Sequence, residues 1–482
     1  MSILSQSVKF IRKAVALMLL PLLVSSCQLV TDDDYETDNG TAKQYINITI
    51  SVSADNLSFT RAPQGGEYGD GVVNSIAREN LVNNITLIFY QDNTGINTTS
   101  DDAVVACVKS YAVRPFTEGD LPNSHTHKTG EPTDMQSNEV LYTTGNQKLE
   151  ETPLEVGQSY KVLVVANANV DVFVGEPIKE VREKVLSSIY TGNGSGINAT
   201  NFVMTSENDA TMTLSNPTVD TSSGENRFVY YFDCIHIERM AARIDYCTSG
   251  ATYDATYGGY VYSGETENDF YVVTKVTPFN LYNENEYLFK RVQDAWPATA
   301  TTYLGNESTS NYVTDPNTAN KDNSQTFSYL SPIAQDMNNE YTQVMSSLSD
   351  GQTITSGGFN NVIIAYPREN TLMPSSHLKK YATGLAFEVK YYPNATATPT
   401  TRVYYHYLRH QGELSTGSYQ AKQWADLSDT ETGSSTVSMN HGIVRNNIYR
   451  VSIESFSTVE GTITLKIEEE KWRHVDNPTI YI

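Results

Sequence analysis

The residues of this chain best equipped for chemistry are set where they would perform none. His125 and His127 have the spacing of a metal clip, but they sit in a polar loop with no acidic or thiol partner nearby, where histidines are ordinarily solvated. His406 and His410 fall in or just after a tyrosine-rich strand, which suits packing or surface positions. The acidic run from Asp32 to Gly40 has the carboxylate density of a calcium loop without its ligand alternation or its closing glutamate. Beyond Cys27, the cysteines Cys107, Cys234 and Cys247 match no zinc spacing. Three thiols cannot all pair; Cys234 and Cys247 could bridge adjacent strands, though buried thiols are the simpler outcome. No phosphate-cradling glycine loop and no nucleophile elbow occurs. Carboxylates are plentiful, yet nothing in the sequence sets two across a cleft, so a solvated acidic surface is the expectation. No catalytic residue, metal ligand or cofactor site is assigned, and no enzyme is expected. What remains is a bond to be cut. Arg61-Ala62 opens the stretch Ala62-Pro63-Gln64-Gly65-Gly66, too rich in turn formers to continue a sheet, and an arginine-specific protease could reach it. Arg78 is the second candidate.

The element before that bond gives the cut its meaning. In Tyr45 through Val52, Ile46, Ile48, Ile50 and Val52 share one face of an extended strand, and Asn47, Thr49 and Ser51 the other, which predicts a half-buried strand. Cutting after Arg61 would separate it from the rest. The groove left behind would expose four apolar positions, at roughly 1.5–3 kcal/mol each, and a row of unpaired backbone groups. A strand from another copy would fill it.

Further along, the chain is rich in strands and poor in helices. Residues 1–26 read as a signal peptide, with Lys9, Arg12 and Lys13 before an apolar core too short to span a bilayer. Val24-Ser25-Ser26-Cys27 resembles a bacterial lipobox, which would make Cys27 the acylated (palmitate-bearing) first residue of an outer-membrane lipoprotein. Residues 27–44 read as an acidic tether. Asn84–Tyr90, 103–108 and the apolar run 160–166 read as strands. Pro177 opens a predicted helix whose apolar residues Ile178, Val181, Val185, Leu186 and Ile189 recur at helical spacing. Many short strands and long polar loops argue for an all-β fold of sandwich domains with one or two short helices, dividing into 45–233 and 234–482. The net charge of -23 disfavours nucleic acid and anionic membrane surfaces as partners. Membrane contact is expected only through the lipid anchor of the precursor.

Near the end, Tyr449, Val451 and Ile453 share a strand face, as do Ile463, Leu465 and Ile467, followed by Trp472 and the terminal Thr479-Ile480-Tyr481-Ile482. Exposed termini are generally polar, so this apolar tail should be covered. The stretch Gly442 through Ile453, the strand Thr464–Ile467, Trp472 and the apolar end resemble the near-C-terminal signature of Bacteroidetes fimbrillins, the pilin subunits of type V pili, and within them the Mfa-type major subunits. Weaker echoes lie at 157–167, 203–205 and 237–243. The resemblance implies two transthyretin-like β-sandwich domains and a precursor whose first strand is removed by an arginine-specific protease. It also implies a C-terminal donor segment, here Ile463, Leu465, Ile467, Trp472, Ile480 and Ile482, that replaces the lost strand in the next subunit of an extracellular fimbrium supporting adhesion. Deleting residues 461–482 should then leave a folded precursor unable to donate. The long polar loops at 113–150 and 297–328 depart from the family pattern and suit the alternative of a tip or surface adhesin holding glycan or a host protein.

Overall fold

The computed structural model describes residues 43–52, 72–74, 77–91, 103–116, 140–192, 198–206, 209–248, 250–293, 301–302, 312–329, 353–356, 359–408, 418–429, 441–457 and 462–473. Cys27, Arg61, Ala62, His125, His127, His410, Ile480 and Ile482 lie outside them. The described fold is built of strands; its two α-helices, Ile178–Arg182 and Leu378–Tyr381, are single turns. The strands used below are β1 (Lys43–Val52), β2 (Val72–Asn74), β3 (Asn84–Tyr90), β4 (Val105–Ala112), β5 (Val140–Thr143), β6 (Gln147–Lys148), β7 (Ser159–Ala166), β8 (Met204–Ser206), β9 (Arg227–Arg239), β10 (Arg243–Cys247), β11 (Phe270–Phe279), β12 (Phe359–Ala365), β13 (Gly384–Tyr392), β14 (Ser418–Ala421), β15 (Asn447–Ser457) and β16 (Thr462–Arg473).

The first sheet runs β4-β3-β7-β8-β9-β1-β5, ending on the short strand Arg114–Pro115. As expected of its unbroken apolar run, β7 lies inside this sheet, with Val162, Leu163, Val164 and Val165 all buried. A second sheet runs β2-β16-β15-β10-β12, with β14 also on β16; a third holds β11 and β13. These two face each other across a core that includes Tyr246, Val451 and Leu465 from one and Tyr271, Val273 and Phe387 from the other. That is a β-sandwich. The long strand β9 runs unbroken through residues 233 and 234, and the passage from the first sheet to the second comes at Met240–Ala242, between β9 and β10.

Two expectations change. The helix opened by Pro177 stops at Arg182, because Val185 and Leu186 pair as a strand with Glu286 and Tyr287. Leu288 N–H, bonded to the Lys184 carbonyl at 2.7 Å, holds that exchange of partners in place. And β1 is not half-buried. Asn47 and Ser51, on its polar face, are buried like its isoleucines, and only Thr49 between them is partly exposed. The Asn47 amide is satisfied there, donating to Asn146 Oδ1 at 2.9 Å and accepting from Thr143 Oγ1 at 2.8 Å, so burial leaves that polar group paired.

Candidate functional site

The residues singled out for removal occupy a slot in the middle of the first sheet. Ile46, Ile48, Ile50 and Val52 are each 0% exposed. One wall of the slot is β9, which pairs with β1 in parallel, matching Ile46 to Tyr230, Ile48 to Phe232, Ile50 to Ile235 and Val52 to Ile237, with a bulge between Ile48 and Ile50. The other wall is antiparallel: β5 pairs with Thr49–Val52 and β6 with Tyr45 and Ile46. Thr144 joins these two pieces, its hydroxyl taking the Ile48 N–H at 3.1 Å and its N–H reaching the Ile48 carbonyl at 3.0 Å. β1 thus has hydrogen-bonded neighbours on both edges, and losing it would open two edges at once. The parallel wall also sets a direction: a replacement strand that keeps the β9 ladder must run the way β1 runs.

At the downstream end of the slot lies a cluster that the sequence did not announce. The 3-10 turn Ala77–Asn80 carries Glu79, fully buried, whose carboxylate accepts from Arg243 Nη1 at 2.9 Å and from the Tyr366 hydroxyl. Arg243 is held on its other side by Asp245 at 2.7 Å. Arg239, the last residue of β9, donates to the Glu79 carbonyl at 2.9 Å and to Asn80 Oδ1. Burial lowers the Arg239 guanidinium to about 10, so it remains charged at neutral pH. Two further buried pairs continue the seam: Lys290 with Glu238 at 2.6 Å and Arg445 with Glu369 at 2.7 Å. Unpaired charges this deep would be severely penalised, and these are paired. The visible signal was Glu238-Arg239 and Arg243 breaking an apolar run; nothing in the sequence marks Glu79 as their partner.

No family model matches the chain, and no curated protein matches it. Solved structures do. The tip fimbrial protein Mfa3 of Porphyromonas gingivalis, with a C-terminal truncation, matches at 12% identity and a TM-score of 0.38, covering 89% of this chain and 100% of that one. A fimbrilin of Porphyromonas gingivalis matches at 14% identity and a TM-score of 0.39, covering 91% of this chain and 99% of that one. A fimbrial assembly protein of Parabacteroides distasonis matches at 13% identity and a TM-score of 0.31, covering 90% and 98%. These three similar structures are fimbrial proteins.

The expected donor residues divide into two groups. Ile463, Leu465 and Ile467 are buried in the core between the second and third sheets, on a β16 that pairs with β15 along one edge and with β14 and β2 along the other. Deleting residues 461–482 would therefore remove an interior strand, and a folded precursor is no longer the expected outcome. Trp472 lies at the end of β16, in parallel register with Val73. Of the other chemistry-bearing residues, Cys107 is buried, which pushes its thiol up to about 11, and His406 packs its ring against Tyr419 with centroids 5.4 Å apart.

Proposed function

We propose that the chain is a structural subunit of a cell-surface fimbria, exported as a lipoprotein precursor acylated at Cys27 and polymerised by strand exchange. An arginine-specific protease cuts Arg61-Ala62, β1 leaves its slot, and the C-terminal segment of a neighbouring copy enters. Because β16 is an interior strand, the donor is assigned to the tail beyond it, residues 474–482, with Ile480 and Ile482 as its apolar side chains and Trp472 at its root. The subunit is read as two β-sandwich domains of transthyretin-like type. Its final place is the extracellular fimbrium, where it supports adhesion.

The observation that carries this reading is the position of β1: its four apolar side chains fully buried, its backbone paired along both edges, and its end joined to the rest of the chain through the segment that holds Arg61. Vacating the slot exposes four apolar side chains, about 6–12 kcal/mol of lost burial. That deficit favours capture of a new strand. Because the donor tail and the slot are different surfaces of one subunit, the contact is head-to-tail and propagates as a fibre. The test is to treat purified precursor with an arginine-specific protease, sequence the new N-terminus, and look for ladders by electrophoresis. The expected product begins at Ala62 and polymerises; Arg61→Lys blocks both steps and Arg78→Lys blocks neither. A chain cut at Arg61 that loses β1 and stays monomeric would overturn the proposal.

A further inference from the structure

Both walls of the slot are fastened to the same short turn. From the β9 wall, Arg239 Nε donates to the carbonyl of Glu79 at 2.9 Å. From the β5 wall, Tyr142, paired in the ladder with Ile50, donates its hydroxyl to the carbonyl of Asn80 at 2.9 Å. Consecutive carbonyls of one turn thus accept one bond from each side of the strand between them. The turn is itself immobilised, with Glu79 clamped by Arg243 and Tyr366. At the far end of the slot a second bond, Asn146 Nδ2 to Asp220 Oδ2 at 3.3 Å, reaches the strand Thr218–Asp220 that pairs with β9. While β1 is present its own ladders join the walls, and the turn adds little. With β1 gone the walls stand two strand spacings apart, roughly 9.5 Å, with no ladder between them.

We propose that Ala77–Asn80 is the keeper of the slot: it holds the β9 and β5 walls at one strand's width after β1 has left, so that the vacant subunit presents a formed groove. This rests on the removable-strand reading above and adds to it a set of positioning residues, Glu79, Asn80, Tyr142 and Arg239. It also separates the two candidate arginines. A cut after Arg78 would give Glu79 a new ammonium group within the cluster that already holds Arg239 and Arg243, and would free the turn from its upstream chain. The keeper therefore requires the cut to fall upstream, as Arg61 does.

The test uses the full chain with a recognition site for an unrelated sequence-specific protease placed between residues 53 and 71, so that it does not depend on Arg61. Hydrogen exchange of 140–143 is followed by mass spectrometry before cutting and after the leader has been washed away, in the wild type, Tyr142→Phe and Glu79→Gln. Tyr142→Phe removes one hydroxyl and keeps the ring, which covers the case in which Glu79→Gln fails to fold. In the emptied chain, Tyr142→Phe should exchange about fivefold faster over 140–143, the loss of one net hydrogen bond, and rebind a synthetic peptide of residues 43–52 correspondingly more weakly. In the uncut chain it should exchange as the wild type does. Equal acceleration in both forms, or none in the emptied form, overturns the inference while leaving strand removal standing. A leader that stays bound after complete cutting defeats strand removal, and the inference with it.

Discussion

Arg445 reaches two carboxylates from one nitrogen, and they do not share it equally. Its Nη2 lies 2.7 Å from Glu369 Oε2 and 3.4 Å from Glu286 Oε1. Burial raises the Glu286 carboxyl well above the ordinary range; Arg445 opposes the rise and the neighbouring Glu369 adds to it. Folding therefore retains a proton that the unfolded chain releases above about pH 4.3, and stability contributed here falls as pH rises through that value toward the folded one. Glu286→Gln keeps an oxygen for Arg445 and removes the titration. Calorimetry should find the variant's melting temperature gaining on the wild type as pH rises above about 4.3. A difference that stays flat as pH rises would mean Glu286 is ionised in the fold. Little of this cluster could be read from sequence. Glu79 and Arg243 are 164 residues apart, and complementary charges at such separation leave no local pattern. The isoleucines of β1 announce themselves through spacing, and the turn formers after Arg61 through residue type.

Among the elements, β1 and β16 resemble each other in sequence and differ in what can be done with them. Both alternate isoleucine with polar residues, both are interior strands, and alternation predicted an inward face for each. Sequence spacing could not tell that β1 is covered on its polar face too, because that cover comes from Thr143 and Asn146, about a hundred residues away. Nor could it tell that Ile463, Leu465 and Ile467 belong to the chain's own core, since a donor strand and a resident strand want the same side chains. The two strands separate experimentally. Ile48→Ala in the precursor should cost about 2–5 kcal/mol by chemical denaturation, the range for large-to-small changes at a buried aliphatic position. The same substitution should speed loss of the leader once the chain is cut, because strand and slot are then separate molecules. Deleting residues 474–482 should leave the precursor's melting unchanged and abolish ladders. Deleting 462–473 as well should abolish cooperative melting of the sandwich formed by the second and third sheets. Ladders from the shorter deletion would remove the tail from the donor role.

At the scale of the whole molecule, the proposed trade is of a subunit's own interior strand for a different one from a neighbour. A net charge of -23 would keep such subunits apart until a specific contact formed, and a donor that kept the parallel pairing with β9 would impose one polarity on every junction. The fold class was legible because strand alternation is local. Which strand could be exchanged and which belongs to the resident core was not, because that depends on pairing between distant segments. The measurement that bears most directly on the trade is cross-linking of fibres assembled from an equal mixture of isotopically light and heavy subunits, reading what lies against residues 227–239. The account predicts mixed light-heavy cross-links joining 227–239 to 474–482, with residues 43–52 absent from the fibre. Cross-links from 227–239 to 43–52 of the same copy, persisting in assembled material, would contradict it.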